Sequence, residues 1–149
     1  TVFYAFKDET LRPYKIMKHV LGTDPSEDLE IFHETDETFG TYVYKTKSKK
    51  YMIIASSHTL SSEYRFLDAD NPDGEFQIFQ LREKDHEYRV DHYKDKFYIR
   101  TNLDAKNFRL METPVDKTTK ENWKEVIPHR DDVLMQGFEV FKNYLVLRS

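Results

Sequence analysis

Hydrophobic residues in this chain gather in short runs separated by polar turns, and no stretch carries a sustained helical stripe. Four runs are aromatic or β-branched: "VFYAF" from Val2, "YMIIA" from Tyr51, "FYIR" from Phe97 and "YLVL" from Tyr144. Each predicts a β-strand. The first three are followed by a polar turn and an amphipathic run: "PYKIMKHV", "EYRFLDA" or "FRLMETP". Turn-forming stretches ("GTDPSED", "DNPDGE", "DKTTKEN") then lead to short apolar runs in "DLEIF", "FQIFQ" and "WKEVI". A more polar run precedes each later aromatic one: "GTYVYKT", "EYRVDHY" and "GFEVF". Only "KTTKENW" promises a helical turn.

These elements repeat. Residues Phe3–Met17 and Phe97–Met111 align without a gap, 94 residues apart, and Tyr51 opens a related copy midway. Tyr144 lies 47 residues beyond Phe97, while Ile31, Ile78 and Val126 are spaced by 47 and 48. A period in the forties, built of strands, is the signature of propeller blades. Within each unit the aromatic strand is apolar at consecutive positions, as expected of a strand covered on both faces. The polar strand suits the innermost position, bordering a channel. The expected fold is all-β: about three four-stranded antiparallel blades of a β-propeller, truncated at both ends. The boundaries are a partial blade at 1–36, blades at 39–80 and 86–128, and a partial blade at 133–149. Closed propellers use about four to eight blades, so the chain reads as a segment of a longer one, without its true N-terminus.

With 149 residues and 15% aromatic content, the chain is long enough for a substantial core. Its apolar runs fall far short of the roughly 20 residues of a spanning helix, and no signal peptide is visible, so no membrane role is expected. A formal net charge of −4 argues against general nucleic-acid binding. The basic cluster "KTKSKK" at 45–50 reads as a turn between strands. The chain has no cysteine, hence no disulfide framework or thiolate metal site, which fits a reducing, cytoplasmic setting.

Candidate chemistry is sparse. His86 and His92 share one face of a strand, but six residues separate them by ~20 Å, too far for one metal ion. His19, His33, His58 and His129 stand singly in different units. Ser56-Ser57-His58 reads as a polar turn, since adjacency supplies no positioned base. Acidic groups such as Asp68/Asp70, Glu34/Asp36/Glu37 and Asp131/Asp132 read as water-exposed turn acids. A paired-carboxylate glycosidase, which some propellers are, is the rival reading. "DADNPDG" lacks the spacing of a calcium loop. No cofactor is implied. The strand "DHEYRVDHY" is different: Asp85, Glu87, Arg89 and Asp91 would place ionisable groups on a channel-side strand. They are tunnel-lining candidates able to steer charged peptides, with ion pairs between blades as the alternative.

The segment "YKIMKHVLGTDPSEDLEIFHETDETF" resembles the propeller of the prolyl oligopeptidase family of serine peptidases. "KDHEYRVDHYKDKFYIRTN", "AKNFRL" and "WKEVIPHRDDVLMQGFEVF" resemble its oligopeptidase B (protease II) branch, and the likeness covers essentially all 149 residues. The resemblance implies a parent enzyme in which a seven-bladed propeller sits over an α/β-hydrolase domain. It further implies cleavage of short peptides after basic residues, with the propeller gating access to the Ser–Asp–His triad. None of that triad is expected here. The glycines are Gly22, Gly40, Gly74 and Gly137, so no Gly-x-Ser-x-Gly elbow exists. The partners expected are peptide substrates and the hydrolase domain of the parent, with the segment by itself self-associating through its open edges. A propeller scaffold that only binds partner proteins is the alternative, which fold alone does not decide against.

Overall fold

The computed structural model describes residues 1–141 and 145–148. Among these, four antiparallel sheets follow one another along the chain. The first holds β1 (Val2–Lys7), β2 (Pro13–His19) and β3 (Leu29–His33). The second holds β4 (Gly40–Lys45), β5 (Tyr51–His58), β6 (Ser61–Asp68) and β7 (Gln77–Gln80). In the third are β8 (Tyr88–Tyr93), β9 (Lys96–Thr101), β10 (Arg109–Pro114) and β11 (Lys124–Ile127). The fourth pairs β12 (Gly137–Val140) with β13 (Leu145–Arg148). The aromatic start expected at Tyr144 lies outside the described residues. Two 3-10 turns, Pro25–Glu27 and Lys120–Asn122, are the only helical elements among the described residues. No helix there is long and apolar enough to cross a membrane.

Each four-stranded sheet is a simple meander whose neighbours in sequence are neighbours in space. The aromatic runs form the second strands. In β5, Ile53, Ile54, Ala55 and Ser56 are buried in succession, because a sheet lies against each face. By contrast β9 alternates between buried and half-buried positions, and β1 leaves Val2 and Phe6 about half exposed. Ser56 and Ser57 belong to β5 rather than to a turn, and the buried Ser56 hydroxyl donates to Thr41 Oγ1 at 3.2 Å. Their polarity concealed a strand whose core is apolar only at its centre.

The main core fills the seam between the second and third sheets. Phe79 and Phe97 meet edge to face at 5.0 Å between centroids, with Tyr51 and Phe66 within 5.4 Å of Phe97. Trp123 closes the outer end over Phe79 and Tyr88. The Tyr88 hydroxyl and the Trp123 indole N–H in this seam are paired. Tyr88 Oη donates to the Gln80 carbonyl at 2.6 Å and accepts from Tyr64 N at 2.8 Å. Trp123 Nε1 donates to the Thr118 carbonyl at 2.7 Å. Such rings fix how one sheet sits on the next, because aromatic packing carries both area and direction.

Candidate functional site

Strand β8 stands at one edge of its sheet, and its side chains alternate between two faces. Tyr88, Val90 and His92 are buried on the face toward the second sheet, and His86, just before the strand, is buried against Tyr88 and Trp123. Arg89 and Asp91 project to the other side, where with Lys47, Glu139 and Arg148 they line a hollow of about 160 Å³ beside β12. The four tunnel-lining candidates are therefore not equivalent. Asp85 lies before the strand in an exposed connector, in the left-handed region at φ 62°. Glu87 also precedes β8, half-buried, and its backbone N–H donates to Asn102 Oδ1 at 2.9 Å. Its charge favours the Arg100 guanidinium, whose pKa burial nonetheless pushes down. Arg100 in turn donates to the Met135 carbonyl at 2.6 Å and stacks on Phe108.

Asp91 is the most constrained of the four. Its Oδ1 accepts from the backbone N–H of Lys47 and of His92, each at 2.8 Å. It thereby ties the 46–50 turn of the second sheet to the third. Burial raises its pKa, against the pull of those two hydrogen bonds and of Arg89 and Lys47.

His92 is 1% exposed and shares a hydrogen bond of 2.8 Å between Nδ1 and Ser48 Oγ. Burial, with help from Lys50, lowers its pKa from the usual 6.5 to about 4. Between those values the unfolded chain binds the proton more tightly, so folding stability falls as pH drops from about 6.5 to about 4. The loss between pH 7 and pH 5 is expected to be about 2 kcal/mol. Denaturant titrations at both pH values test this. His92→Gln should flatten the dependence, and an unchanged slope in that variant would assign the effect to other groups.

A second polar cluster joins the first two sheets. Arg82 reaches Glu34 through both terminal nitrogens, at 3.0 and 2.6 Å, and Glu63 at 3.1 Å. Arg65 pairs with Glu63 at 2.7 Å. The two guanidinium groups lie over Phe39 and Phe32, at 3.9 and 4.2 Å from the ring centroids. Burial pulls the Glu63 pKa up, but the hydrogen bonds from Arg82 and the two positive charges outweigh it, and the net shift is down. Glu34, expected as a water-exposed turn acid, is only 4% exposed. The sequence holds no local signal for this, since Arg82 comes from a connector 48 residues away. Among the described residues no group of three His, Asp or Glu side chains is arranged to hold a metal ion.

The fold has clear counterparts. The family description "Prolyl oligopeptidase, N-terminal beta-propeller domain" matches residues 1–149. The chain belongs to the prolyl oligopeptidase family. Within it, dipeptidyl aminopeptidase BI of Pseudoxanthomonas mexicana is 40% identical over 99% of this chain and 20% of its own length. Protease 2 of Moraxella lacunata is 34% identical over 93% of this chain and 21% of its own. Among solved structures, oligopeptidase B from Leishmania major superposes with a TM-score of 0.88 at 32% identity, over 97% of this chain and 20% of that one. The sheets are thus propeller blades of a prolyl oligopeptidase-family protein, and the chain spans about a fifth of the length of the relatives it matches.

Proposed function

We propose that this chain is a non-catalytic segment of the propeller of a cytoplasmic serine oligopeptidase that cleaves short peptides after basic residues. The observation that carries the reading is the family match along all 149 residues together with the superposition on oligopeptidase B. In this reading the parent propeller has seven blades, of which the chain supplies blades at 39–80 and 86–128 and partial ones at 1–36 and 133–149. The propeller gates access to a hydrolase domain elsewhere in the polypeptide. Arg89 and Asp91 belong to the seam facing β12, and Asp85 and Glu87 lie toward the strand's entry. Together they give peptides passing the inner edge a set of fixed charges. The full-length polypeptide is expected to hydrolyse a fluorogenic peptide ending in Arg, and the 149-residue chain is expected not to. Activity that stays with the short chain through stringent repurification would defeat the proposal.

The same reading implies association of the isolated chain. Among the described residues strand β1 pairs only with β2, which leaves its other edge, flanked by the exposed Val2 and Phe6, open there. Unpaired edges with apolar side chains recruit further strands. The proposed exchange partner is the 134–141 segment of a second copy, whose strand proper is Gly137–Val140. Light scattering of the isolated chain should exceed the monomer mass of 18.0 kDa. A monomer at high concentration would refute the association.

A further inference from the structure

Arg89 of β8 stands directly opposite Arg100 of β9 in their antiparallel ladder. Like charges in that relation repel and weaken a sheet. A third guanidinium joins them from the fourth sheet. Arg148 of β13 is the ladder partner of Gly137 in β12, and its guanidinium lies across the place a side chain at 137 would fill. A Cβ there would stand 3.1 Å from Arg148 Cζ and Nε, and nearer still to Nη2. Glycine at 137 is what admits the guanidinium to this position. The three arginines act on one another: burial lowers the Arg100 pKa, Glu87 opposes it, and the charges of Arg89 and Arg148 lower it further.

Carboxylates stand near but do not neutralise the cluster. Asp91 Oδ1 is committed to the backbone N–H groups of Lys47 and His92. Glu87 and Glu139 form no ion pair among the described residues. Arg89 and Arg148 are both exposed, and among the described residues neither makes an ion pair or a side-chain hydrogen bond. Arg100, by contrast, is held by the Met135 carbonyl and the Phe108 ring. Lys47, the remaining cation at the hollow, has its Nζ over the Phe141 ring, 4.8 Å from the centroid. Two free guanidinium groups facing a third repel one another in the segment alone, and an anion between Arg89 and Arg148 relieves that repulsion. The hollow of about 160 Å³ that they line has room for a carboxylate. It lies between the third and fourth sheets, so a further blade would stack beyond β12 rather than fill it.

We propose that Arg89 and Arg148 hold the C-terminal carboxylate of a short peptide in this hollow. The guanidinium fork matches a carboxylate in shape as well as charge, and two forks converging from adjacent blades fix its position. Every linear peptide with a free end carries this group once, whatever its sequence, so the site orients a peptide by its end rather than by its side chains. Lys47 adds positive charge at the rim of the same hollow. The proposal rests on the peptidase reading above, in which short peptides pass the first strands of the blades.

The test uses the full-length polypeptide and two internally quenched peptides with one internal Arg, identical except for a free carboxylate or an amide at the C-terminus. The free acid should show a KM about tenfold lower at an unchanged kcat. Arg89→Gln and Arg148→Gln should each raise the free-acid KM to that of the amide and leave the amide unaffected. Gly137→Ala should do the same by displacing the Arg148 guanidinium, and Arg148→Lys should restore only part of the preference, since lysine lacks the fork. Arg89→Gln also removes the charge opposite Arg100, so its urea midpoint should not fall below the parent's, which separates a lost preference from a folding defect. Equal KM values for acid and amide in the parent, or a preference that survives both Gln variants, overturn the proposal. A peptide amide ending in Asp that matches the free acid, while its Asn counterpart does not, would assign the arginines to acidic side chains and overturn the C-terminal assignment. Hydrolysis of neither peptide removes the peptidase reading alone. Calorimetric titration with the same pair then reads the site directly, and an acid preference that Arg89→Gln leaves intact, or no preference, overturns it.

Discussion

Replacing Arg82 by alanine is expected to destabilise the chain by about 3–5 kcal/mol, because it leaves buried carboxylates without their partner. Glu34 and Glu63 are each 4% exposed, and Arg82 bonds to both, so its removal takes a charged partner from a buried carboxylate in each of two adjacent blades. Glu63 keeps Arg65 at 2.7 Å, whereas Glu34 loses a bidentate contact. Loss of the guanidinium also uncovers the Phe39 ring. The triple variant Arg82→Met, Glu34→Gln, Glu63→Gln removes the charges together and should recover most of the loss, since a vacated ion-pair network without stranded charge is far less costly. Urea unfolding of both variants decides the matter. A single variant within about 1 kcal/mol of the parent chain would show the network to be solvated and weak.

Phe97→Ala is expected to cost a similar amount, about 3–5 kcal/mol, through a cavity rather than a charge. Phe97 is fully buried in β9, and its ring touches Tyr51, Phe66, Phe79 and His92 from both sides of the seam. These neighbours belong to two sheets and cannot all collapse into the space. Leu60→Ala, at a position 52% exposed, is expected to stay within about 0.5 kcal/mol and serves as the control. Comparable losses at the two positions would contradict the placement of the core in the seam.

The repeat made the strands legible. Tyr51, Phe97 and Val2 each open an aromatic or β-branched run that forms a strand or stand beside its first residue, although only β5 is covered on both faces. The turns between strands were legible through their Gly, Pro and Asp residues. The alternation of His86, Tyr88, Val90 and His92 with Asp85, Glu87, Arg89 and Asp91 was equally visible. Which neighbour each face meets was not, because that depends on how sheets stack rather than on local period. Asp85 illustrates the limit: it sits in the expected polar segment, yet a left-handed turn takes it out of the strand. The Glu34–Arg82–Glu63 cluster was hidden for the same reason, since its members are separated by 48 and 19 residues and meet only when blades pack. Glu34 stands in an acidic run, and composition alone assigns such runs to water.

The most direct test of the propeller assignment locates the reactive serine in the full-length polypeptide. Labelling with a fluorophosphonate probe, followed by tandem mass spectrometry, should find a modified serine outside residues 1–149 and none within them. Ser48, whose Oγ lies 2.8 Å from His92 Nδ1, forms a serine–histidine pair among the described residues and provides a sharp internal contrast. Probe attached to Ser48, or to any other serine of residues 1–149, would contradict a non-catalytic propeller.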